Sequence, residues 1–175
     1  IDPSLPHFTS DDVPLLKNSK SIRLLKIKPA IFLADVLDCE LISVSLDGTA
    51  TTQAPEFDAL SYRWQTADPT YGSRTILVNG KQMQIQESQA QALHRYRRLG
   101  CSIDEQWQGK AEYIWADGIC IDQSNLPEKT IQVGMMGQVY KKAKRVYIDL
   151  GDVPDGWYYA LVLMYKYKGS CGIFL

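Results

Sequence analysis

The four cysteines of this chain, Cys39, Cys101, Cys120 and Cys171, never approach a CxxC pair. That spacing argues against a zinc site and against a disulfide-stapled secreted fold, and fits reduced thiols in an intracellular protein. Neither G-x-G-x-x-G nor a P-loop pattern is present, so classical dinucleotide and ATP sites are disfavoured. Charge is close to balanced, with 19 Lys and Arg against 20 Asp and Glu and a net charge of −1. Nothing therefore suggests general affinity for nucleic acid or for an anionic membrane. Long apolar runs are missing too. The most apolar piece, 157–167, is interrupted by Lys166 and falls short of the ~18 residues of a spanning helix; it predicts a last core helix over 157–168.

What is present reads as a soluble globular composition, 45% hydrophobic and 22% charged over 175 residues, enough for one domain. Residues 1–20, with three prolines, predict an extended arm, and 21–175 a single domain. Ser21–Lys28 reads as a first strand and Cys39–Leu46 as a half-exposed one, Ile42, Val44 and Leu46 alternating with serines. Phe57–Trp64 begins as a central strand and turns polar and aromatic. Asn79-Gly80 between two apolar runs is a strong hairpin signal. Ser88 is positioned to cap a helix that ends at Gly100, with Leu93, Tyr96 and Leu99 on its buried face. From Phe57 onward strands alternate with helices, which predicts an α/β fold. Its sheet is expected to be mainly parallel and flanked by helices, with an antiparallel N-terminal portion and a β-hairpin.

The most informative stretch is Tyr113–Tyr140. An apolar strand stops at Asp117-Gly118, a polar turn follows through Asp122-Gln123-Ser124-Asn125, and Ile131, Met135, Val139 and Ala143 then recur at helical spacing. If the strands at 57–62, 113–117 and 146–150 are parallel neighbours, Ser61, Tyr62, Arg63 and Trp64 leave the sheet beside Asp117, Cys120 and Asp122, where ligands of open α/β sheets bind. Such a set suits a nucleotide or sugar: Arg63 for phosphate, an aromatic face for a base, a carboxylate for ribose hydroxyls or an oxocarbenium. Glu128 carries two competing roles. It is a carboxylate beside this crevice, and it is also the third residue after Asn125 in a capping-box pattern with Pro127 near the helix start. Cys120 as a nucleophile needs an activating base, and neither His7 nor His94 is placed by sequence to serve. The run His94-Arg95-Tyr96-Arg97-Arg98 reads as a solvated basic face.

Two blocks carry a resemblance to a known family. Phe57-Asp58-Ala59-Leu60-Ser61-Tyr62-Arg63-Trp64 resembles the "ALSY-W" block of the fungal heterokaryon incompatibility (HET) domain. Ile114-Trp115-Ala116-Asp117-Gly118-Ile119-Cys120-Ile121-Asp122-Gln123 is similar to its "W-D-ICI-Q" block, and Arg23-Leu24-Leu25 and Val78-Asn79-Gly80 also fit. Two departures stand out, Gln65 where the family has Gly and Asp122 where it has Asn. The resemblance implies a cytoplasmic cell-death domain of non-self recognition, part of a longer chain, that self-associates and answers to an upstream sensor. It further implies a distant TIR-like fold. Some TIR domains cleave NAD with a glutamate at a helix start, which makes Glu128 the catalytic candidate. Ser61, Tyr62, Arg63, Trp64, Asp117 and Asp122 are then substrate-binding, with NAD as substrate and no bound cofactor or metal. The alternative implied is a non-catalytic signalling module.

Overall fold

The computed structural model describes residues 1–17, 20–29, 36–48, 53–64, 72–99, 111–149 and 151, and the backbone of 164–166 and 170–172. Ser21–Ile27 (β1) is an apolar strand whose first five residues are all buried. Enclosure on both faces is the mark of a central strand, and β1 pairs antiparallel with Asp38–Ser45 (β2) over its whole length. Phe57–Tyr62 (β3) is almost as enclosed. Ser73–Val78 (β4) and Lys81–Gln86 (β5) form the expected hairpin, with positive φ at both Asn79 and Gly80, the geometry of a tight two-residue turn. Asn79 does a second job. Its side-chain amide exchanges two hydrogen bonds with the Leu41 peptide, at 2.9 and 3.0 Å, so the turn is stitched to β2.

Glu87–Leu99 (α1) follows at once. Its N-cap is Gln86 rather than a serine, and the Gln86 N–H is met by the Gln89 side chain at 2.9 Å; Ser88 lies inside the helix. Tyr113–Ala116 (β6), the short helix Asp117–Cys120 (α2), Leu126–Lys142 (α3) and Val146–Asp149 (β7) complete the main body. The seven strands lie in the order β5-β4-β2-β1-β6-β3-β7. Helix α1 covers the face that presents Asp58 and Tyr62, through Tyr96 and Gln89. The other face meets α3, where Tyr140 stands edge-on to Trp115 at 5.5 Å.

The expectation of a mainly parallel sheet is corrected: the sheet is mixed. β3 runs parallel to β6 and β7 and β2 parallel to β4, while β1–β2, β1–β6 and β4–β5 are antiparallel. The N-terminal strands are not appended at one side. The enclosed β1 needs neighbours on both edges, so it is inserted beside β6 and interrupts the parallel pattern. Residues 1–17 do more than trail as an arm, since Phe8 and Val13 are buried and His7 bridges to Gln82 of β5. Within 157–168, expected as a helix, Met164–Lys166 is a strand (β8) that pairs antiparallel with Ser170–Gly172 (β9); the rest of that stretch lies outside the described residues, as do Gln65 and residues 101–110.

Helix α3 buries its expected face except at the first position of the stripe. Ile131 is 63% exposed, while Gln132, Val139 and Ala143 are buried and Met135, Met136 and Tyr140 pack against the core. The cause is polar: the buried Gln132 side chain donates to the Ser21 carbonyl at 2.9 Å, and Glu128, one turn earlier, faces the same way.

Asp58 is an acid wholly inside the fold. Its Oδ2 accepts from the Ala111 N–H at 2.8 Å and the Tyr96 hydroxyl at 2.9 Å. Burial pushes its carboxyl above the ordinary value, and those hydrogen bonds only partly oppose it. An acid raised in this way stabilises the fold most below its unfolded pKa, and the contribution is lost as pH rises through the folded value. The melting-temperature advantage of wild type over Asp58→Asn therefore widens as pH falls from neutral towards about 4, measured by thermal melts at each pH. A constant gap would show that Asp58 titrates alike in folded and unfolded chains.

Candidate functional site

β3, β6 and β7 are parallel neighbours, as their sequence pattern suggested. Leu60 is level with Ala116, and Tyr62 with Asp149, so the carboxyl ends of all three strands reach one edge. There the chain after β3 carries Tyr62 and Trp64, whose rings stack at 6.0 Å with planes 18° apart. The indole Nε1 donates to Asp117 Oδ2 at 3.2 Å.

Tyr62 anchors a buried polar floor. Its hydroxyl accepts from Gln89 Nε2 at 2.8 Å and from the Gly118 N–H at 3.2 Å. Burial first, and the Asp117 charge second, raise this phenol well above its ordinary value, while Gln89 opposes them. It stays protonated. Gly118 also donates to Asp117 Oδ1 at 2.8 Å, and the Gln123 amide donates to the Asp117 carbonyl at 2.9 Å. A Cβ on Gly118 would lie 1.8 Å from Gln89 Nε2 and 2.4 Å from the Tyr62 oxygen. The Asp-Gly pair is therefore required by close approach as well as by the end of a strand.

Above this floor lies a cleft of about 570 Å³. Its walls are the arm around His7–Asp11, the strand β5, the exposed indole of Trp64, and the turn Ile121–Ser124. Asp122 lines it with a carboxylate whose Oδ1 accepts from the Ser124 hydroxyl at 2.6 Å, the Ser124 N–H at 2.9 Å and the Asn125 N–H at 3.3 Å. The Ser124 hydroxyl is the largest of the causes that hold Asp122 below the usual carboxylate range. All three contacts ask for an acceptor, which aspartate supplies as well as asparagine does.

Glu128 does not line the cleft. Asn125 caps α3 by accepting the Glu128 N–H at 3.1 Å, yet the Glu128 side chain does not turn back to complete a capping box. It reaches inward to Arg23 of β1, which is 2% exposed, and meets it with both oxygens: Nη1 to Oε1 at 2.6 Å and Nη2 to Oε2 at 3.1 Å. Oε1 also accepts the Asp122 N–H at 2.8 Å. The same guanidinium donates to the Val13, Cys120 and Ser10 carbonyls at 2.6, 3.2 and 3.4 Å. A planar fork with five donors is the group suited to such a junction.

Of the expected site residues, Trp64 and Asp122 line the cleft, while Tyr62 and Asp117 sit behind it, held to Trp64 and Gly118. Ser61 projects to the opposite face of the sheet, where it hydrogen-bonds Tyr140. Arg63 is exposed and does not line the cleft. Cys120 is fully enclosed with its sulfur accepting from Ala116 N–H, and burial pushes the thiol up to about 12; a protonated, inaccessible thiol is no nucleophile. The solvated basic face of α1 is also corrected, because Arg97 is buried and contacts the Val36 carbonyl and His94, and Arg95 pairs with Asp149 at 2.7 Å. Two important residues carried little sequence signal. Gln89 looked like any helix glutamine. Arg23 stood out only as part of the Arg23-Leu24-Leu25 block, although a cation among apolar strand residues is a signal that demands a buried partner.

Residues 57–160 match the profile of the family described as heterokaryon incompatibility protein (HET), a span that takes in both recognised blocks but begins after Arg23. Over 149 residues, 85% of the chain, the sequence is 30% identical to "Heterokaryon incompatibility protein 6, OR allele" of Neurospora crassa. It spans 21% of that protein's length. No solved structure matches the chain.

Removing one member of a buried bidentate pair leaves a bare charge, so Glu128→Ala is expected to cost about 3 kcal/mol, a drop in melting temperature of about 6–12 °C for a domain of this size. An unchanged melt would mean that Val13 and Ser10 hold Arg23 unaided. Gly118→Ala is expected to cost about 1–3 kcal/mol by overpacking. Adding Gln89→Ala should return part of it, whereas a fully additive double variant would place the strain elsewhere.

Proposed function

Because the chain belongs to the heterokaryon incompatibility (HET) family, we propose that it is the incompatibility domain of a larger fungal protein, and that it acts in non-self recognition by binding rather than by turnover. The observation that supports this reading is the engagement of Glu128. A carboxylate that stabilises an oxocarbenium or activates water must face substrate. Here both oxygens are taken by a buried guanidinium and one also by a backbone N–H. The cleft beside it offers an aromatic face, amides and acids, but its described lining has no lysine or arginine for a pyrophosphate. Asp117 and Asp122 hold the shape of the cleft, Trp64 supplies its exposed aromatic surface with Tyr62 stacked behind it, and Glu128 is a positioning residue for the 121–124 wall.

NAD cleavage is the competing activity, and it has a direct assay. Purified domain incubated with NAD, as monomer and after induced self-association, is expected to release no nicotinamide above a protein-free blank. Turnover that is lost in Glu128→Gln but kept in an equally destabilised core variant would overturn the binding role and make Glu128 catalytic.

A further inference from the structure

β5 is the terminal strand of the seven-stranded sheet, and its outer edge is only partly used. In the β4–β5 hairpin Val78 opposes Lys81 across the two-residue turn, so Lys81, Met83 and Ile85 exchange hydrogen bonds with β4. The peptide groups of Gln82, Gln84 and Gln86 point outward. The arm fills the first position: Gln82 N–H donates to Pro6 at 2.8 Å and Phe8 N–H to the Gln82 carbonyl at 2.7 Å, a parallel bridge. Beyond it the arm turns away, because Thr9 caps the short 3-10 turn Ser10–Asp12. Gln86 N–H is taken by Gln89. The outward N–H and C=O of Gln84 are thus left on the β5 wall of the cleft, which the arm and Trp64 also line.

Two further features identify an occupant. The edge already holds one extended segment of polypeptide, so its twist and spacing suit another. The described lining carries Asp11 and Asp122 and no lysine or arginine, while the exposed face of Trp64, with Asp117 at its indole nitrogen, is a surface for a cation. We propose that this cleft docks an extended, basic peptide segment of a partner protein, which adds to the β5 edge at Gln84 and lays a lysine or arginine side chain over Trp64 towards Asp122. Backbone pairing supplies the grip and the side-chain pocket the selectivity, as in other strand-addition sites. The inference rests on the binding role proposed above but is read by affinity, so it and the absence of NAD turnover can fail separately.

The test is titration calorimetry of the full chain with blocked octapeptides. Alternating Lys-Val is expected to bind at least tenfold more tightly than alternating Glu-Val or Thr-Val, and to weaken as salt is raised. A Lys-Val peptide methylated at every backbone nitrogen should lose binding. Gln84→Pro removes the outward N–H without touching the ladder to β4, a substitution that edge strands tolerate. It and Trp64→Ala should each weaken Lys-Val binding about tenfold with the thermal melt retained. No binding of any peptide, equal binding of the acidic one, or indifference to N-methylation and to Gln84→Pro would each overturn the proposal.

Discussion

Arg23 and Glu128 form the contact on which the geometry of the cleft depends. Arg23 is buried in the central strand, where an unpaired guanidinium would be prohibitively costly. The fold answers by bringing three separate segments to it: the arm through Ser10 and Val13, α2 through Cys120, and the start of α3 through Glu128. Glu128 passes the constraint on to Asp122, and Asp122 sets the turn that leads into the α3 cap. Two walls of the cleft, arm and turn, are thus positioned by one cation that neither of them contains. The carboxylate also sits in the first turn of a helix, where the backbone dipole favours it.

How much of this was legible depends on whether a residue's task is local. The three parallel strands, the Asn79-Gly80 hairpin and the Asn125 cap follow from short-range chemistry, and they appear where the pattern put them. Tyr62, Trp64, Asp117 and Asp122 converge because those strands share a carboxyl edge. Ser61 goes to the other face because side chains alternate along a strand, a consequence of period two that grouping consecutive residues overlooks. The exposure of Ile131 was hidden for another reason. Apolar periodicity favoured Ile131, but Glu128 and Gln132 bind β1 through hydrogen bonds that a hydrophobic stripe does not register.

The sheet shows the same division. Its parallel half could be read from alternating strands and helices, whereas the insertion of β1 beside β6 is a long-range choice. Arg23 was part of a recognised block, yet its meaning lay in a partner 105 residues away. The arginines of α1 erred in the opposite direction. Three cations in four residues suggest solvent, but Arg97 is buried against the Val36 carbonyl and His94 and Arg95 answers Asp149, an arrangement open to long side chains with a charged end.

That separation of 105 residues also sets an order of events in time. β1 and β2 are close in sequence and can pair early, leaving Arg23 without a carboxylate until Glu128 has been synthesised and brought across the sheet. Contacts of such span close late, since their loop entropy must be met before they return anything. On a ribosome adding roughly 5–20 residues per second, the half-made domain spends several seconds with its central cation unmatched. The 121–124 wall, which hangs on Glu128, can take its place only after that carboxylate has arrived.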